Sequence, residues 1–438
     1  MVHILIIILT LIYSFNIKST LLTALSSLFI IMTFIAIKKF KNLEKVLEII
    51  TIGAKKSYLL VIIFALLGAL SASWFISGTI PALIYYGIKI INPKYFYICS
   101  FVITSIFSFL IGSSFGTVGT IGIVMISLAK GMDINTSIVA GTIISGAYFG
   151  DRGSPMSSSA NFVSILTETN LYSNVRRMFK SSIIPYILSF LLYFYNGKNI
   201  EIKLIENNIL NLLNQEFNLN FIVLIPLVYL IVMCILKKNI RYTMVVSIIL
   251  SLIIAAVQQT YNKKEYLNFL ISGFKLPLEN ELYDIIRGGG VLSMSTAMVM
   301  ALLSCSLVSI IESMGFLKWL SEKIGILKKE WKIYLYTILV AIFTAGISSS
   351  QSTSILLTSQ IMKRTYERSN YSKEKLAIDI ENSSVILSPL IPWNIGITVP
   401  ALMLNTQVGE ILPYSYYLFL LPLIVIALKI KKLRYFSV

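Results

Sequence analysis

The sequence is poor in the side chains that most enzymes use for polar chemistry. Of its 438 residues only 13% are charged, one is histidine (His3) and four are aspartate, whereas roughly 25% of a soluble domain is charged. The three cysteines, Cys99, Cys234 and Cys305, stand far apart in apolar stretches, without metal-ligand spacing or a disulfide framework. We therefore expect no histidine-based catalysis and no cysteine–histidine metal centre, and we expect the cysteines to be buried packing residues.

Nucleotide and hydrolase motifs are also lacking. The sequence contains no P-loop, so it gives no support to ATP-driven transport by this chain alone. The run GSSFG at residues 112–116 matches the G-x-S-x-G pattern of hydrolases, but His3 lies at the first apolar block and no lysine lies within the neighbouring apolar run. Because nothing is placed to activate Ser114, we expect neither enzymatic activity nor a cofactor.

Long apolar runs are what the sequence has in abundance. Hydrophobic residues make up 56% of it, in blocks such as residues 58–80, 221–236, 291–311 and 413–428. A helix needs about 20 apolar residues to cross a hydrocarbon core of about 30 Å, so these blocks predict an all-α polytopic membrane protein with about 10–13 transmembrane helices. The first block, residues 4–13, lacks a basic flank and a clear cleavage site, and we interpret it as a retained span.

The net charge of +17 is concentrated in short loops between the apolar blocks. Positive loops are typical of the cytoplasmic side of membrane proteins, so the charge indicates topology and not a nucleic-acid partner. We expect a multi-pass protein of the cytoplasmic (inner) membrane with a cytoplasmic C-terminus. The basic loops lie at residues 38–56, 176–180, 237–241, 318–332, 363–375 and 429–434.

Residues 331–362 form an apolar segment that is too long for one untilted span and has basic residues on both flanks. If both flanks are cytoplasmic, the segment must enter the membrane and return. The polar run GISSSQSTS at residues 346–354 lies where the turn would be. Such a break is tolerated at membrane depth only inside protein or beside a water-filled cavity, so we expect a re-entrant or broken helix.

A similar polar break, GSSFGTVGT, occurs in the first half at residues 112–120. A Ser-Pro dipeptide follows each break at the same distance, because Gly112 and Pro155 are 43 positions apart and so are Gly346 and Pro389. Interrupted segments at corresponding places in two halves indicate the binding site of a transporter near the bilayer midplane. We therefore predict two structural repeats, each with a broken helix or re-entrant hairpin; their relative orientation stays open.

These patterns divide the chain into five regions. Residues 1–57 hold N-terminal spans and a basic cytoplasmic loop, residues 58–196 the first repeat, and residues 197–220 a polar connector outside the core. Residues 221–428 hold the remaining spans with the second repeat, and residues 429–438 form a basic cytoplasmic tail.

Asp151 is the first candidate for an ion-binding residue, because it follows an apolar helix that ends in SGAYFG. An aspartate at bilayer depth costs about 2.5–3.5 kcal/mol on insertion scales, so it normally faces a cavity or a partner. One carboxylate there can hold either a proton or Na⁺, with oxygen ligands for the hard cation. The alternative is a salt bridge with Arg152 at a helix end. The surrounding candidate ligands, some of which would otherwise cap a broken helix, are Ser154, Ser157, Ser158, Ser159 and Asn161, with Na⁺ placed at Asp151, Ser154 and Asn161.

The second half offers corresponding polar residues. Glu381 is either a site residue or the start of a helix at the cytoplasmic face, Glu312 is either a site residue or an interfacial helix end, and Trp393 either packs or lines the site. The counterparts of the first-half ligands are Glu381, Asn382, Ser384, Ser388 and Asn394. The side chains expected to line the site from the two breaks are Thr117, Thr120, Ser350, Gln351, Ser352 and Thr353.

These segments resemble the NhaC-type sodium/proton antiporter family of the ion-transporter superfamily. The resemblance is carried, in order along most of the chain, by SGTIPALIYY (77–86), FGTVGT (115–120), SGAYFGDRGSP (145–155), RGGG (287–290) and SPLIPWN (388–394). It implies Na⁺/H⁺ exchange, or the Na⁺/H⁺-linked exchange of small organic acids such as malate and lactate. It also implies a fold of two repeats, each with a re-entrant hairpin.

Two positions depart from the family pattern. Ser158 stands where the family often has an acid after Ser-Pro, and Asn382 stands where it often has the second acid of Glu-Asp. A site with fewer carboxylates favours a changed stoichiometry or an organic acid or amino acid bound with Na⁺. We expect Na⁺/H⁺ antiport, with organic-solute exchange or symport as the alternative. The expected partners are the lipid bilayer, Na⁺, H⁺ or a small organic solute, and a homodimer is left open.

Overall fold

The computed structural model describes residues 21–198, 207–236, 238–259, 265–276, 286–314, 326–327, 329–348 and 350–431. Within them the chain is almost entirely helical. Seven helices are long and apolar enough to cross a membrane, or up to ten if each of three bent helix pairs is one span. The all-α polytopic prediction is confirmed. The first predicted span (residues 4–13), His3 and the basic residues 318–325 lie outside the described residues.

The first part of the described chain consists of four helices, of which the last two contribute to the main buried cluster. They are α1 (Leu21–Phe40), α2 (Leu43–Lys56), α3 (Tyr58–Ile76) and α4 (Thr79–Ile90). The basic segment at residues 38–56, predicted as a loop, is largely the helix α2. Its Gly53 packs so closely on α14 (Ser295–Ser313) that a Cβ there would lie 2.5 Å from Ser306 Cα.

The next helices form the first half of the predicted transport core. They are α5 (Phe96–Ile111), α6 (Ser114–Gly131), α7 (Thr136–Gly153), α8 (Ser158–Thr167) and α9 (Leu171–Gly197). The polar run 112–120 breaks the helix as predicted, because Gly112 takes a left-handed conformation (φ 69°) and Ser113 caps α6. A side chain at Gly112 would also collide with Met156, since a Cβ there would lie 2.5 Å from the Met156 carbonyl carbon.

A middle region links the two halves. It contains α10 (Asn207–Glu216), α11 (Ile225–Ile235), α12 (Ile240–Gln258), α13 (Tyr266–Ser272), the strands β1 (Phe274–Lys275) and β2 (Arg287–Gly288), and α14. The connector predicted to lie outside the core is partly inside it: Leu213, Phe217 and Leu219 belong to the main buried cluster. Cys99 and Cys305, expected to be buried, are only half-buried free thiols.

The last region holds the second predicted break. Its helices are α15 (Glu330–Ser348), α16 (Gln351–Arg368), α17 (Lys373–Glu381), α18 (Ser384–Leu387), α19 (Ile395–Met403), α20 (Val408–Ile411) and α21 (Tyr416–Ile430). The predicted hairpin is present: Thr337 meets Tyr366 (3.0 Å) and Thr344 meets Thr358 (2.8 Å), which is the pairing of two antiparallel helices. At the open end the Leu327 amide donates to Ser369 Oγ (3.0 Å).

The two breaks are reached from opposite ends of the molecule. At one end Glu168, just before α9, binds Lys363 and Lys373 beside the open end of the α15–α16 hairpin. At the other end of α9, a 27-residue helix about 40 Å long, Phe194 stacks on Tyr95 next to the start of α5. Therefore α5 enters from one end and α15 from the other, and their tips approach each other inside the protein.

Candidate functional site

Asp151 lies near the end of α7, which is packed backbone to backbone on α5. Two glycines four residues apart, Gly146 and Gly150, face α5; a Cβ at Gly150 would lie 2.3 Å from the Phe109 amide nitrogen. Small residues at this spacing allow membrane helices to approach closely. Ser108 Oγ donates to the Ala147 carbonyl across the same contact. This packing carries Asp151, which is 3% exposed, to the tip of the first break.

Four side chains donate hydrogen bonds to the Asp151 carboxylate. Ser114 Oγ (3.1 Å) and Gln351 Nε2 (3.4 Å) donate to Oδ2. Ser157 Oγ (2.9 Å) and Ser159 Oγ (3.4 Å) are within reach of Oδ1. Ser114 begins α6 at the first break and Gln351 begins α16 at the second, so both tips converge on one carboxylate from sequence positions more than 200 residues apart.

The structure brings only part of the predicted ligand set to Asp151. Ser157, Ser159 and Gln351 are there as predicted. Ser154 instead donates to the Phe109 carbonyl (2.6 Å), and Asn161 donates to the carbonyls of Pro155 and Ser157 (3.2 and 2.7 Å), so both fix the bend between α7 and α8. Ser158 is exposed.

The other hydroxyls predicted at the two tips also have local roles. Thr117 donates to the Ser113 carbonyl and Thr120 to the Gly116 carbonyl, both within one helical turn. Ser350 occupies the N-cap of α16 without a side-chain capping bond. Ser352 is exposed and Thr353 is half-buried. None of these five contacts the Asp151 carboxylate among the hydrogen bonds of the described residues.

Arg152 points away from Asp151, and the salt bridge considered for this pair is absent from the described residues. Its fully buried guanidinium donates to neutral groups: Nη1 to Ser182 (2.5 Å) and Tyr417 (3.1 Å), and Nη2 to Ser181 and Asn382 (both 2.5 Å). Arg152 thus joins α7 to α9, to α21 and to the polar end of α17. Its bond to Asn382 explains how an amide is accommodated at that position.

Glu381 is completely buried, and neither carboxylate oxygen has a hydrogen-bond partner among the described residues. The neighbouring predicted residues support the broken segment: Ser384 donates to Thr358 (2.8 Å) and Ser388 to the Ser384 carbonyl (2.6 Å). Asn394 caps α19 and donates to the Ala345 carbonyl (3.1 Å). These contacts fasten the second Ser-Pro segment to the α15–α16 hairpin.

Two further predicted residues lie elsewhere. Trp393 packs at the same hairpin, with Nε1 donating to the Gly346 carbonyl (2.8 Å). Glu312 pairs with Lys56 (3.4 Å) and is part-exposed, like an ordinary interfacial helix end.

A buried ion pair between Asp379 and Lys429 was missed from the sequence. Lys429, assigned to the basic tail, is 5% exposed in its side chain and binds Asp379, which is 1% exposed. Tyr366 donates to the other Asp379 oxygen (2.8 Å), and the Lys429 ammonium lies 4.5 Å from the centre of the Tyr334 ring. The sequence contains a signal for this burial, because Lys429 continues a row of apolar residues at helical spacing. The residues of this row share the buried face of α21: Leu418, Leu421, Val425 and Lys429.

Comparison with known proteins finds relatives among the antiporters. The chain matches the Na⁺/H⁺ antiporter family over residues 1–160 and 146–431. It is 31% identical over 366 residues to a malate-2H⁺/Na⁺-lactate antiporter of Bacillus subtilis, which covers 82% of this chain and 78% of that protein. It is 28% identical over 371 residues to the Na⁺/H⁺ antiporter NhaC of Alkalihalophilus pseudofirmus, covering 84% and 80%.

A more distant relative is the arginine/ornithine antiporter ArcD of Halobacterium salinarum, 24% identical over 389 residues and covering 86% of this chain and 79% of the relative. All three are antiporters by name, although their named substrates differ. The match to the family extends across nearly the whole described core, including Asp151 and both breaks. The chain therefore belongs to the Na⁺/H⁺ antiporter family.

Proposed function

We propose that the chain exchanges Na⁺ for protons across the cytoplasmic membrane and that Asp151 holds both in turn. The observation that carries this proposal is the convergence of four side-chain donors, from both helix breaks, on one buried carboxylate. A serine hydroxyl is both a donor and an acceptor. Ser114 and Ser157 can therefore donate to the carboxylate when no cation is present and turn a lone pair toward Na⁺ when it arrives.

Exchange follows from competition for this one carboxylate. Na⁺ is a hard cation that prefers oxygen ligands, and the Asp151 oxygens, the serine hydroxyls and the Gln351 amide oxygen are of that kind. A proton on Asp151 removes the charge that attracts Na⁺, and bound Na⁺ displaces the proton. No covalent step and no cofactor are required.

The two breaks, which are reached from opposite ends, suggest how access alternates between the two sides. The α5–α6 break is reached from one end and the α15–α16 break from the other, and each contributes one donor to Asp151. Withdrawal of either tip would open Asp151 toward one side while the other tip stayed closed. We propose that the end with Glu168, Lys363 and Lys373 is cytoplasmic, which also places the C-terminus inside.

The test uses inside-out membrane vesicles from a host that lacks its own sodium exchangers. An acid-inside gradient is established, NaCl, LiCl, KCl or malate is added, and lumenal pH is followed by fluorescence. Wild type is compared with Asp151→Asn, and Glu312→Gln serves as the matched control because its carboxylate pairs with Lys56 away from the site. We expect Na⁺ to release protons in wild type and in the control but not in Asp151→Asn.

Two other outcomes have definite meanings. If Asp151→Asn releases protons at the wild-type rate, the proposed site is wrong. If Na⁺ acts only together with malate, the chain performs the organic-acid exchange named for the Bacillus subtilis relative. One structural observation favours that second candidate: with Asn382 as its partner, Arg152 has no carboxylate among its hydrogen-bond acceptors in the described residues.

A further inference from the structure

A basic turn joins α1 to α2 and has no part in the exchange proposed above. Three exposed lysines, which we call the lysine turn, are Lys38 near the end of α1, Lys41 between the helices and Lys45 in the first turn of α2. None of them forms an ion pair with a carboxylate in the described part of the chain. The Lys45 ammonium lies 5.1 Å from the centre of the Phe40 ring. The lysine turn therefore presents three positive charges at the surface.

The row of side chains that leads to this turn along α1 is apolar and exposed. Ile30, Phe34 and Lys38 follow one another at four-residue spacing, so they share one face of the helix. The exposed fraction is 54% for Ile30 and 63% for Phe34, whereas Met32 and Ala36 on another face are buried. An exposed apolar row that ends in lysines matches the two parts of a phospholipid, acyl chains and a charged headgroup.

The direction of α14 shows at which end of the molecule the turn lies. α14 belongs to a segment that is long enough to cross the membrane, and Met294, just before its start, lines a cavity together with Lys130 at the end of α6. The same end of α6 packs on the end of α4, because a Cβ at Gly87 would lie 2.4 Å from Leu128 Cδ2. α4 leads directly to Tyr95. Therefore α14 starts at the Tyr95 end of the molecule and runs toward the other end.

The lysine turn is fastened to the far end of α14. Lys39, which follows Lys38, donates to the carbonyl of Met314 (2.6 Å), directly after α14. Met314 lies toward the end that also holds Glu168, which we have proposed to be cytoplasmic. The three lysines therefore lie where the headgroups of the cytoplasmic leaflet are expected, and anionic lipids of that leaflet attract basic segments next to apolar helices.

A buried cluster connects this region to the second helix break. It is separate from the main buried cluster and contains side chains of α1, α2, α14 and α15. Ile347, near the end of α15, belongs to it, four residues before Gln351, which donates to Asp151. Trp393 packs against the same cluster. A ligand that holds α1 and α2 in place thus acts on the surface against which the tip of the second break rests.

We propose that the lysine turn binds the headgroup of an anionic phospholipid and that this lipid stabilises the packing of α1, α2 and α14 beside the second break. Glu44 and Glu48 are exposed nearby on α2 and weaken the positive charge, but the lysines outnumber them. The exposed row of Ile30 and Phe34 favours a lipid over a soluble phosphate, which has no apolar part to cover it. Binding of the lipid does not depend on Na⁺/H⁺ exchange at Asp151.

The first experiment measures thermal unfolding of the purified full-length protein in a neutral detergent, titrated with phosphatidylglycerol, phosphatidylcholine or glycerol 3-phosphate. The test variant carries glutamine at all three positions (Lys38→Gln, Lys41→Gln and Lys45→Gln), and a conservative variant carries arginine there. The matched control carries glutamine in place of three exposed lysines at the Tyr95 end of the molecule, namely Lys89, Lys94 and Lys198. Unfolding without added lipid shows that each variant is folded.

We expect phosphatidylglycerol to stabilise wild type, the arginine variant and the control alike. The phosphatidylglycerol concentration for half-maximal stabilisation should rise about tenfold or more in the glutamine variant, and the difference should shrink at high salt. Equal stabilisation by phosphatidylcholine would overturn the proposal in favour of acyl chains alone, and equal stabilisation by glycerol 3-phosphate would overturn it in favour of a soluble phosphate. No stabilisation of wild type, or the same affinity in the glutamine variant, would also overturn it.

The second experiment measures the effect on transport and rests on the proposed exchange. Na⁺-driven proton release is compared in liposomes of phosphatidylcholine with and without phosphatidylglycerol. We expect phosphatidylglycerol to increase release by wild type and by the control, and to have less effect on the glutamine variant. If release is absent in every lipid, the exchange proposed for Asp151 is wrong, while the unfolding experiment still decides lipid binding. If phosphatidylglycerol increases release equally in the glutamine variant, the lysine turn does not act on the second break.

Discussion

Asp151 and Glu381 are both buried carboxyl groups, yet their surroundings are opposite. Asp151 has four side-chain donors around it, whereas Glu381 has no hydrogen-bond partner on either oxygen among the described residues. They belong to one polar cluster, because Arg152, which follows Asp151, donates to Asn382, which follows Glu381. The first half of the molecule thus holds a carboxylate that accepts hydrogen bonds from protein donors. The second half holds one without hydrogen-bond partners among the described residues.

The two acids differ in whether protein donors replace the water around the buried carboxyl group. A buried anion is tolerated when donors replace water, and it is costly when they do not. The Asp151 carboxylate therefore has protein donors in place of water. The Glu381 carboxyl group has no such donors among the described residues, so hydrogen bonds do not offset its burial in this conformation.

The largest effect is expected from replacing each acid by leucine. Asp151→Leu leaves up to four buried donors without an acceptor, at about 1–3 kcal/mol each, whereas Glu381→Leu leaves none in this conformation. Asp151→Leu should lower the melting temperature of the purified protein strongly, and Glu381→Leu should leave it unchanged or raise it. Thermal unfolding in detergent measures both. Equal losses of stability would show that Glu381 has partners comparable to those of Asp151.

Asp379 sharpens the comparison, because it lies on the same helix as Glu381 but is paired. Lys429→Met leaves the buried Asp379 with the Tyr366 hydroxyl as its remaining side-chain donor among the described residues. Breaking a buried ion pair from one side costs about 3–5 kcal/mol. The double variant Asp379→Asn/Lys429→Met removes both charges and should recover much of that loss. Thermal unfolding of the two single variants and the double variant gives the coupling. A double variant no more stable than Lys429→Met would mean that the pair does not act as a unit.

A smaller effect is expected from the donors to Asp151. Ser114→Ala and Ser157→Ala each remove a hydroxyl worth about 0.5–1.5 kcal/mol, so the Na⁺ concentration for half-maximal proton release should rise about 2–10-fold. Thr120→Ala is the matched control, since its hydroxyl donates to Gly116 in its own helix. Proton release in inside-out vesicles over a range of NaCl concentrations measures the shift. If Thr120→Ala raises the half-maximal Na⁺ concentration as much as Ser114→Ala does, the effect does not depend on a hydrogen bond to Asp151.

The fold was largely predictable because its main signals are local. The apolar runs gave helices such as Tyr58–Ile76 and Tyr416–Ile430 within a few residues, and basic flanks on both sides of residues 331–362 required a hairpin. Amphipathic packing was harder to see: the lysine-rich residues 38–56 looked like a loop, although Val46 and Gly53 lie on a buried face of a helix.

The candidate site was only half predictable, because its geometry depends on contacts between distant residues. Asp151 stood out by its rarity and its position, but its partner Gln351 is 200 positions away. The sequence indicated Ser114 only as the serine of a G-x-S-x-G pattern, for which no activating base was found. That pattern relates Ser114 to its neighbours in sequence and not to Asp151. Ser154 and Asn161 were predicted as ligands by proximity along the chain, yet a bend in the backbone uses them as hydrogen-bond donors to carbonyls.

The smallest effect concerns a carboxylate that is neither buried nor unpartnered. Glu168 is exposed between α8 and α9, and hydrogen bonds from Lys373 and Lys363 lower its pKa. Its ion pairs therefore stabilise the folded protein fully above the unfolded pKa of about 4.3. This stabilisation is lost as pH falls through the lower pKa of the folded state. Glu168→Gln should therefore be slightly less stable than wild type at pH 7 and equal to it in acid, and the difference should shrink at high salt because the pairs are exposed. Melting temperatures at pH 7 and in acid, with and without added salt, measure this, and Glu367→Gln, exposed at the same end, is the control. If the melting temperatures of Glu168→Gln and wild type still differ in acid or at high salt, Glu168 acts through packing and not through its charge. Glu168 would then no longer contrast with the buried Asp151 and Glu381 as an exposed, ion-paired carboxylate.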